Sequence, residues 1–345
     1  MIRAWKTITI SLLVALSSTL GHSQVKSEWV APEIMGRADG REFYFKEIAF
    51  SDESTGWLVD HFGVLLKSID GGSSWSLAKN FESRKLSSIK FVTSDVGFVA
   101  GGWDAERGKN FQCFVGRTRD AGKTWEDVSP LARGTRTCHL WDVYFVDADL
   151  GWAVGVAQRP NDPVEKGIVF RTVDGGRSWK QIDKGVENAG EIFAVEFESR
   201  STGFAASNTG VWKTTDGGES WVRVYESKKE HLFDVSSIDQ KIWAVGSNGL
   251  IISSDNSGRS WQTSVLPANL ADLWFAKISV KANGRVWLLG GFSGINVVLT
   301  SSNGGRSWTR ETVSNSSGFL RSIAFPNSDC VLLAGATDLL MRRCR

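Results

Sequence analysis

Two kinds of short apolar segment recur in phase along the chain. The first alternates apolar and polar positions: FKEIAF (45–50), LSSIKF (86–91), LWDVYF (140–145), IFAVEF (192–197), LFDVSS (232–237), FAKISV (275–280) and LRSIAF (320–325). A period of two reads as a half-buried strand, here called strand a. The second is a short, continuous apolar run: GWLV (56–59), GFVAG (97–101), GWAVG (151–155), GFAAS (203–207), IWAVG (242–246), VWLLG (286–290) and VLLAG (331–335). This is strand b, buried on both faces. A third strand, c, comes next, as in GIVFRTVD (167–174) and GVWKTTD (210–216), and leads into a turn after which a short strand d leaves. Each unit is thus four antiparallel strands in roughly 46 residues. One such sheet cannot cover both of its faces, but sheets stacked radially cover each other. Seven copies of strand a predict an all-β fold, a seven-bladed β-propeller of four-stranded antiparallel blades.

The turn between strands c and d carries a repeated string: SIDGGSSW (68–75), TRDAGKTW (118–125), TVDGGRSW (172–179) and TTDGGESW (214–221), then SDNSGRSW (254–261) and SSNGGRSW (301–308). The acidic position is Asp70, Asp120, Asp174 and Asp216, with Asn256 and Asn303 in the last two copies; the closing residues are Trp75, Trp125, Trp179, Trp221, Trp261 and Trp308. An Asp side chain can accept backbone N–H groups two residues on, as in an Asx turn. Glycine allows positive φ, Ser and Thr hydroxyls satisfy further turn groups, and the Trp lies over the hairpin with its N–H free to reach a carbonyl. Asn keeps the acceptor oxygen. Six copies on six hairpins cannot assemble one active site, so the string is scaffold. It also lacks the further acidic ligands of an EF-hand loop.

Only six strings exist, and the chain ends just after strand c of the seventh unit. Residues 28–32, EWVAP, precede the first strand a and resemble the Trp-led strand d that leaves each of the other turns. They are expected to supply the missing strand d, so that the N-terminal strand closes the ring and removes two open sheet edges.

The turn string is the Asp-box, or bacterial neuraminidase repeat, which occurs in sialidases, two-propeller xyloglucanases, the sortilin luminal domain and photosystem II assembly and stability factors. The G-W/F-a-V-G run with the string after it, the seven units and the leader make the chain resemble the last of these most, over nearly all of 28–345. The resemblance implies a non-catalytic propeller that binds membrane-protein assembly intermediates. The repeat speaks for architecture more than for function, because sites are grafted on folds.

Residues 1–23 have Arg3 and Lys6 ahead of an apolar stretch from Ile8 to Leu20, with Gly21 and Ser23 before Gln24. This is the pattern of a cleaved signal peptide, leaving a single propeller domain over 24–345 and a periplasmic or extracellular location. The chain carries 40 Lys and Arg against 38 Asp and Glu; without the leader the two balance. A general basic field for nucleic acid is therefore absent. Composition agrees with an all-β chain: 36 Gly and 16 Trp against 3 Met. Export favours disulfides. Cys330 and Cys344 flank a hairpin centred near Thr337, so the expected pairs are Cys330–Cys344 and Cys113–Cys138.

Enzyme readings fare poorly. The early F/Y-R-I-P motif of sialidases is absent, and Tyr44, Tyr144 and Tyr225 join no convincing triad. One ring cannot make the two-propeller cleft of a xyloglucanase. Asp142 and Asp234 share a position in strand a, with Glu47 beside them in the alignment; they read as channel lining or partners of neighbouring backbone rather than acid–base groups. His139 and His231 occupy comparable positions two blades apart, too far round the ring for a metal pair. No cofactor is expected. Partner recognition is expected on the face of the d–a and b–c loops, opposite the turn strings. Two long insertions fall there, 101–112 and 156–167, and so do Arg84, Lys85, Trp103, Arg107, Phe111, Arg133, Arg136, Arg159, Lys228, Lys229 and Arg321. Aromatic residues with Arg are the usual interface anchors. The reading is a monomer that binds protein, with a glycan-binding or glycan-hydrolysing propeller as the alternative.

Overall fold

The computed structural model describes residues 29–342 except 36–41, 105–110, 163, 265, 267–269, 271, 282, 293–294 and 314–317. The leader, Arg107 and Cys344 lie outside the described residues.

Seven antiparallel sheets form the blades, each in the order a–b–c–d. The strands a are Phe45–Phe50, Arg84–Phe91, Thr137–Phe145, Ile192–Phe197, Leu232–Ile238, Trp274–Val280 and Leu320–Ala324, which number blades 1 to 7. Blade 7 receives its fourth strand from Trp29–Val30, with Trp29 opposite Arg342 and Val30 opposite Met341. The chain then crosses to blade 1, where Glu33–Met35 pairs in parallel with strand d over Ser74–Ser76. That second pairing was not anticipated. It fastens the seam from both sides, since one short segment is hydrogen-bonded to the last blade and to the first.

Burial agrees with the stacking argument. Seven apolar clusters fill the seven joints between neighbouring blades. Trp57, Val59 and Leu65 of blade 1 pack on Leu86, Ile89 and Val99 of blade 2. At the seam, Phe45 and Leu58 meet Leu332, Ala334 and Met341 of blade 7. The aromatic second residue of strand b stacks on the Phe that ends strand a of the next blade: Phe98 on Phe145 at 3.5 Å and Trp152 on Phe197 at 3.4 Å between ring centres.

The turn string forms the same network in every copy, and it differs from the Asx turn expected. In the first, Asp70 accepts from the N–H and hydroxyl of Ser74, four residues on, at 2.9 and 2.6 Å. Ser68, two residues before, donates to Asp70 at 2.8 Å and accepts the Gly72 N–H at 2.9 Å. The carboxylate thus spans a four-residue loop because Gly71 and Gly72 take φ of +70° and +91°. Where the string has Ala121 or Ser257 in place of the first Gly, that residue adopts φ near +56°. Asn256 and Asn303 keep the backbone bond, from Ser260 and Ser307 at 2.9 and 3.0 Å, and their side-chain amides donate to the Ser hydroxyls. Among the described residues two of the closing indoles find a carbonyl: Trp75 at Gly72 and Trp179 at Val128, the latter in the preceding blade.

Cys113 and Cys138 are bridged, tying strand c of blade 2 to strand a of blade 3. Cys330 is also disulfide-bonded, and its expected partner Cys344 falls outside the described residues. The two insertions are in part paired strand, at 101–104 and 111–112 and at 156–158 and 165–167. They lengthen strands b and c, to Gly97–Asp104 with Phe111–Thr118 and to Gly151–Gln158 with Glu165–Thr172, paired to their ends.

Candidate functional site

Every strand a carries a β-bulge near its start at the d–a loop. The skipped residues are Lys46, Ser87, Trp141 and Phe193 in blades 1 to 4, and Phe233, Ala276 and Arg321 in blades 5 to 7. The bulge explains the glycine that closes five of the seven strand b runs. A Cβ at Gly155 would lie 1.9 Å from the His139 carbonyl oxygen, and one at Gly246 1.8 Å from that of His231. Bulges re-aim side chains. These seven residues, one per blade, turn into the mouth of the central channel on the d–a and b–c face, where they line a cavity of about 620 Å³.

The mouth has two unlike sides. Across blades 3 to 6 the rings of Trp141, Phe193, Phe233 and Trp274 stand one after another at 5.3–6.4 Å between centres. Trp274 is 47% exposed and Phe292, at the end of strand b in blade 6, 53% exposed. Trp141 is held by its indole N–H, which donates to Glu191 at 2.7 Å, and by His139 edge-on at 4.3 Å. Across blades 7, 1 and 2 the mouth is cationic. Arg321 donates to the Tyr44 hydroxyl at 2.9 Å and lies over the Phe319 ring; its Nε has no hydrogen-bond partner among the described residues. Lys46 stands over the rings of Tyr44 and Trp141 at 5.2 and 5.9 Å. Burial, then the charges of Arg321 and Lys85 against the pull of Asp60, lower its ammonium to about 8. Burial, then the charges of Lys46 and Lys85, hold His61 and His139 neutral, at about 4 and 3.

One residue deeper lies a second ring that joins blade to blade. Glu47 accepts the Ile89 N–H at 2.9 Å, Asp142 that of Val195 at 2.9 Å and Asp234 that of Ile278 at 2.8 Å. Ser88 and Ser322 do the same for Val143 and Ile48. Glu196 serves the joint between blades 4 and 5 through Ser237 N–H. Lys277 sits among them, 3.3 Å from Asp234 and 3.6 Å from Glu47. Burial works against its charge, but Asp234, Glu47 and Asp142 overcome this and hold it above its ordinary value. Burial raises Asp142 to about 6, helped by Glu47, and Glu196 to about 7. These carboxylates are committed to neighbouring backbone, as the sequence reading of Asp142 and Asp234 expected. Among the described residues no three His, Cys, Asp or Glu converge as metal ligands.

Of the eleven side chains expected to meet a partner, Arg321 lines the cavity. Lys85 lies close enough for its charge to act on Lys46. Arg84 turns outward, paired with Asp127 at 2.8 Å and stacked over Phe114. Arg133, Arg136, Arg159, Lys228 and Lys229 stand on the surrounding loops. Trp103 and Phe111 pair as backbone in the long hairpin of blade 2. Lys46, Trp141, Phe193, Phe233, Trp274, Phe292 and Phe319 were missed. For Lys46, Trp141, Phe193 and Phe233 the signal lay in the aligned strands a, where the position after the first apolar residue reads Lys, Ser, Trp, Phe, Phe, Ala, Arg. The residue before it is apolar in every blade, and the residue after it reads Glu, Ser, Asp, Ala, Asp, Lys, Ser.

Residues 177–274 match the family described as photosynthesis system II assembly factor YCF48. Over 320 residues the chain is 23% identical to the photosystem II assembly lipoprotein Ycf48 of Nostoc sp., covering 90% of this chain and 85% of that protein. It is 22% identical over 320 residues to the chloroplastic photosystem II stability/assembly factor HCF136 of Arabidopsis thaliana, covering 86% and 75%. Among solved structures, YCF48 bound to D1 peptide superposes with a TM-score of 0.68 at 19% identity, over 92% of this chain and 97% of that one. A GH74 xyloglucanase from Xanthomonas campestris gives the same TM-score at 13% identity, over 92% of this chain and 53% of that one. Both structural likenesses speak for the fold.

Proposed function

We propose that this Asp-box propeller, most like the photosystem II assembly factors, is a non-catalytic scaffold. Its channel-mouth cavity docks a segment of a protein partner, a membrane-protein assembly intermediate of the kind those relatives are named for. The observation that carries the reading is the cavity itself. Seven bulges deliver an aromatic arc and a cationic sector to one mouth, while the carboxylates beneath are tied to backbone and unavailable for acid–base work. An apolar wall with a few placed charges is the chemistry of a peptide receptor. The solved YCF48 bound to D1 peptide supports the reading that a propeller of this shape accepts such a ligand.

Residues 1–23 act as a cleaved leader in this reading, so the partner is met outside the cytoplasm, in the periplasm or beyond. The Nostoc relative is named a lipoprotein, which supports an exported, membrane-associated place for this chain. The chain acts as a monomer, and the loop residues Arg133, Arg136, Arg159, Lys228 and Lys229 form the outer rim around the docked segment. A photocrosslinking residue at Ala276 tests the site. It should trap a membrane-protein partner in cells, and the same residue at Lys123 on the Asp-box face should not. Equal yields from both positions, or adducts from Lys123 alone, would remove the docking site.

A further inference from the structure

Lys46 is chemically out of place. It is a half-buried lysine on an aromatic wall, with no carboxylate within ion-pair distance among the described residues. The groups acting on it are the rings of Tyr44 and Trp141, the cations Arg321 and Lys85, and the acid Asp60; Glu47, Asp142, Asp234 and Lys277 line the same cavity and are bound to one another or to neighbouring backbone. Asp60 accepts the backbone N–H groups of Tyr44 and Phe62 at 2.5 and 2.7 Å. His61 and His139 also feel the Lys46 charge and stay neutral beside it. An amine in an apolar cavity beside other cations is the arrangement that activates lysine as a nucleophile. The Trp141 and Phe193 rings of the same cavity supply a surface for an aryl or alkyl group.

We propose that Lys46 is a reactive amine and that the channel mouth is a covalent capture site for aldehydes. The Nζ lone pair attacks the carbonyl carbon and a C–N bond forms. The amine proton passes to the carbonyl oxygen to give a carbinolamine, and loss of water leaves the imine. No redox step is involved in capture. The lowered ammonium supports this: near pH 7.5 a lysine titrating at about 8 carries on the order of a hundredfold more free amine than an ordinary one. Weaker intrinsic nucleophilicity offsets part of that gain.

The inference uses the cavity of the docking proposal but stands apart from it, because it is read on the protein alone. The test treats the folded protein with 4-carboxybenzaldehyde and sodium cyanoborohydride between pH 6.5 and 9, and maps the secondary-amine adducts by peptide mass spectrometry. Lys46 should be labelled about tenfold or more faster than Lys123 at pH 7.5, with a rate that levels off above about pH 8. Arg321→Gln removes a neighbouring cation and should slow Lys46 several-fold without changing Lys123. Lys46→Arg should erase the fast phase while the circular dichroism stays native. Labelling of Lys46 no faster than Lys123 across the range, or a fast phase that survives Lys46→Arg, overturns the proposal.

Discussion

Trp29→Ala tests whether the ring depends on its N-terminal strand. Trp29 is 2% exposed and packs with Trp287, Leu289, Leu333 and Leu340 in the joint between blades 6 and 7. Its strand has only two residues, so the indole supplies most of what that strand buries. A buried Trp removes about 200 Å² from water, which at about 25 cal/mol per Å² is about 5 kcal/mol. Truncation of a buried Trp costs about 3–5 kcal/mol where the cavity cannot collapse. No side-chain hydrogen bond is lost with the indole, because Trp29 Nε1 has no partner among the described residues, so the cost is one of packing. The assay is urea unfolding monitored by far-UV circular dichroism, with Trp274→Ala as control. Trp274 is 47% exposed, and its loss should cost about 1 kcal/mol or less. If Trp29→Ala falls within about 1 kcal/mol of wild type, well short of the range for a buried Trp, the two-residue strand is decoration and the closure argument fails.

The same Trp274→Ala variant should lose partner capture while keeping near-wild-type stability, read by quantitative crosslinking beside the unfolding curve. Asp174→Asn should unfold close to wild type, since Asn256 and Asn303 already show the amide working in this turn, whereas Asp174→Ala should cost about 1–2 kcal/mol by analogy with lost caps. Glu196 titrates near 7 when folded, above its unfolded value. Its contribution is therefore complete below about pH 4.5 and is lost as pH rises through 7. The stability of wild type relative to Glu196→Gln should fall between pH 5 and 8. Asp120, held at about 2 by the hydroxyl and N–H of Thr124, acts in the opposite sense, and its contribution fades as pH drops from 4 towards 2. Replacing Cys113 with Ser opens a loop of 25 residues and should cost about 3 kcal/mol in the chain-entropy account, measured under non-reducing conditions.

The ring was legible because every blade repeats two apolar signatures and six of the seven carry the turn string. The missing seventh string pointed directly to the strand at Trp29. What escaped was local irregularity. A period-two pattern says which residues of strand a face the neighbouring blades, but an inserted residue is invisible to it. Lys46, Trp141 and Phe233 therefore read as ordinary strand positions when they are bulges aimed into the channel. Gly155 and Gly246 were noticed as part of the apolar run, yet the reason only glycine fits there is a carbonyl brought close by the bulge. The insertions at 101–112 and 156–167 read as loops, although both begin and end as paired strand. In the turn string the residue types were read correctly and the reach of the carboxylate was not. Whether Asp70 bonds two or four residues on depends on the φ values of Gly71 and Gly72, which composition leaves open.

Hydrogen exchange on the complex with the captured partner tests the central claim most directly. Protection should appear at the openings of the strands a, around residues 45–47, 192–194, 232–234 and 274–276, and the Asp-box turns should exchange as in the free protein. Protection confined to those turns, with the channel mouth unchanged, would contradict the account.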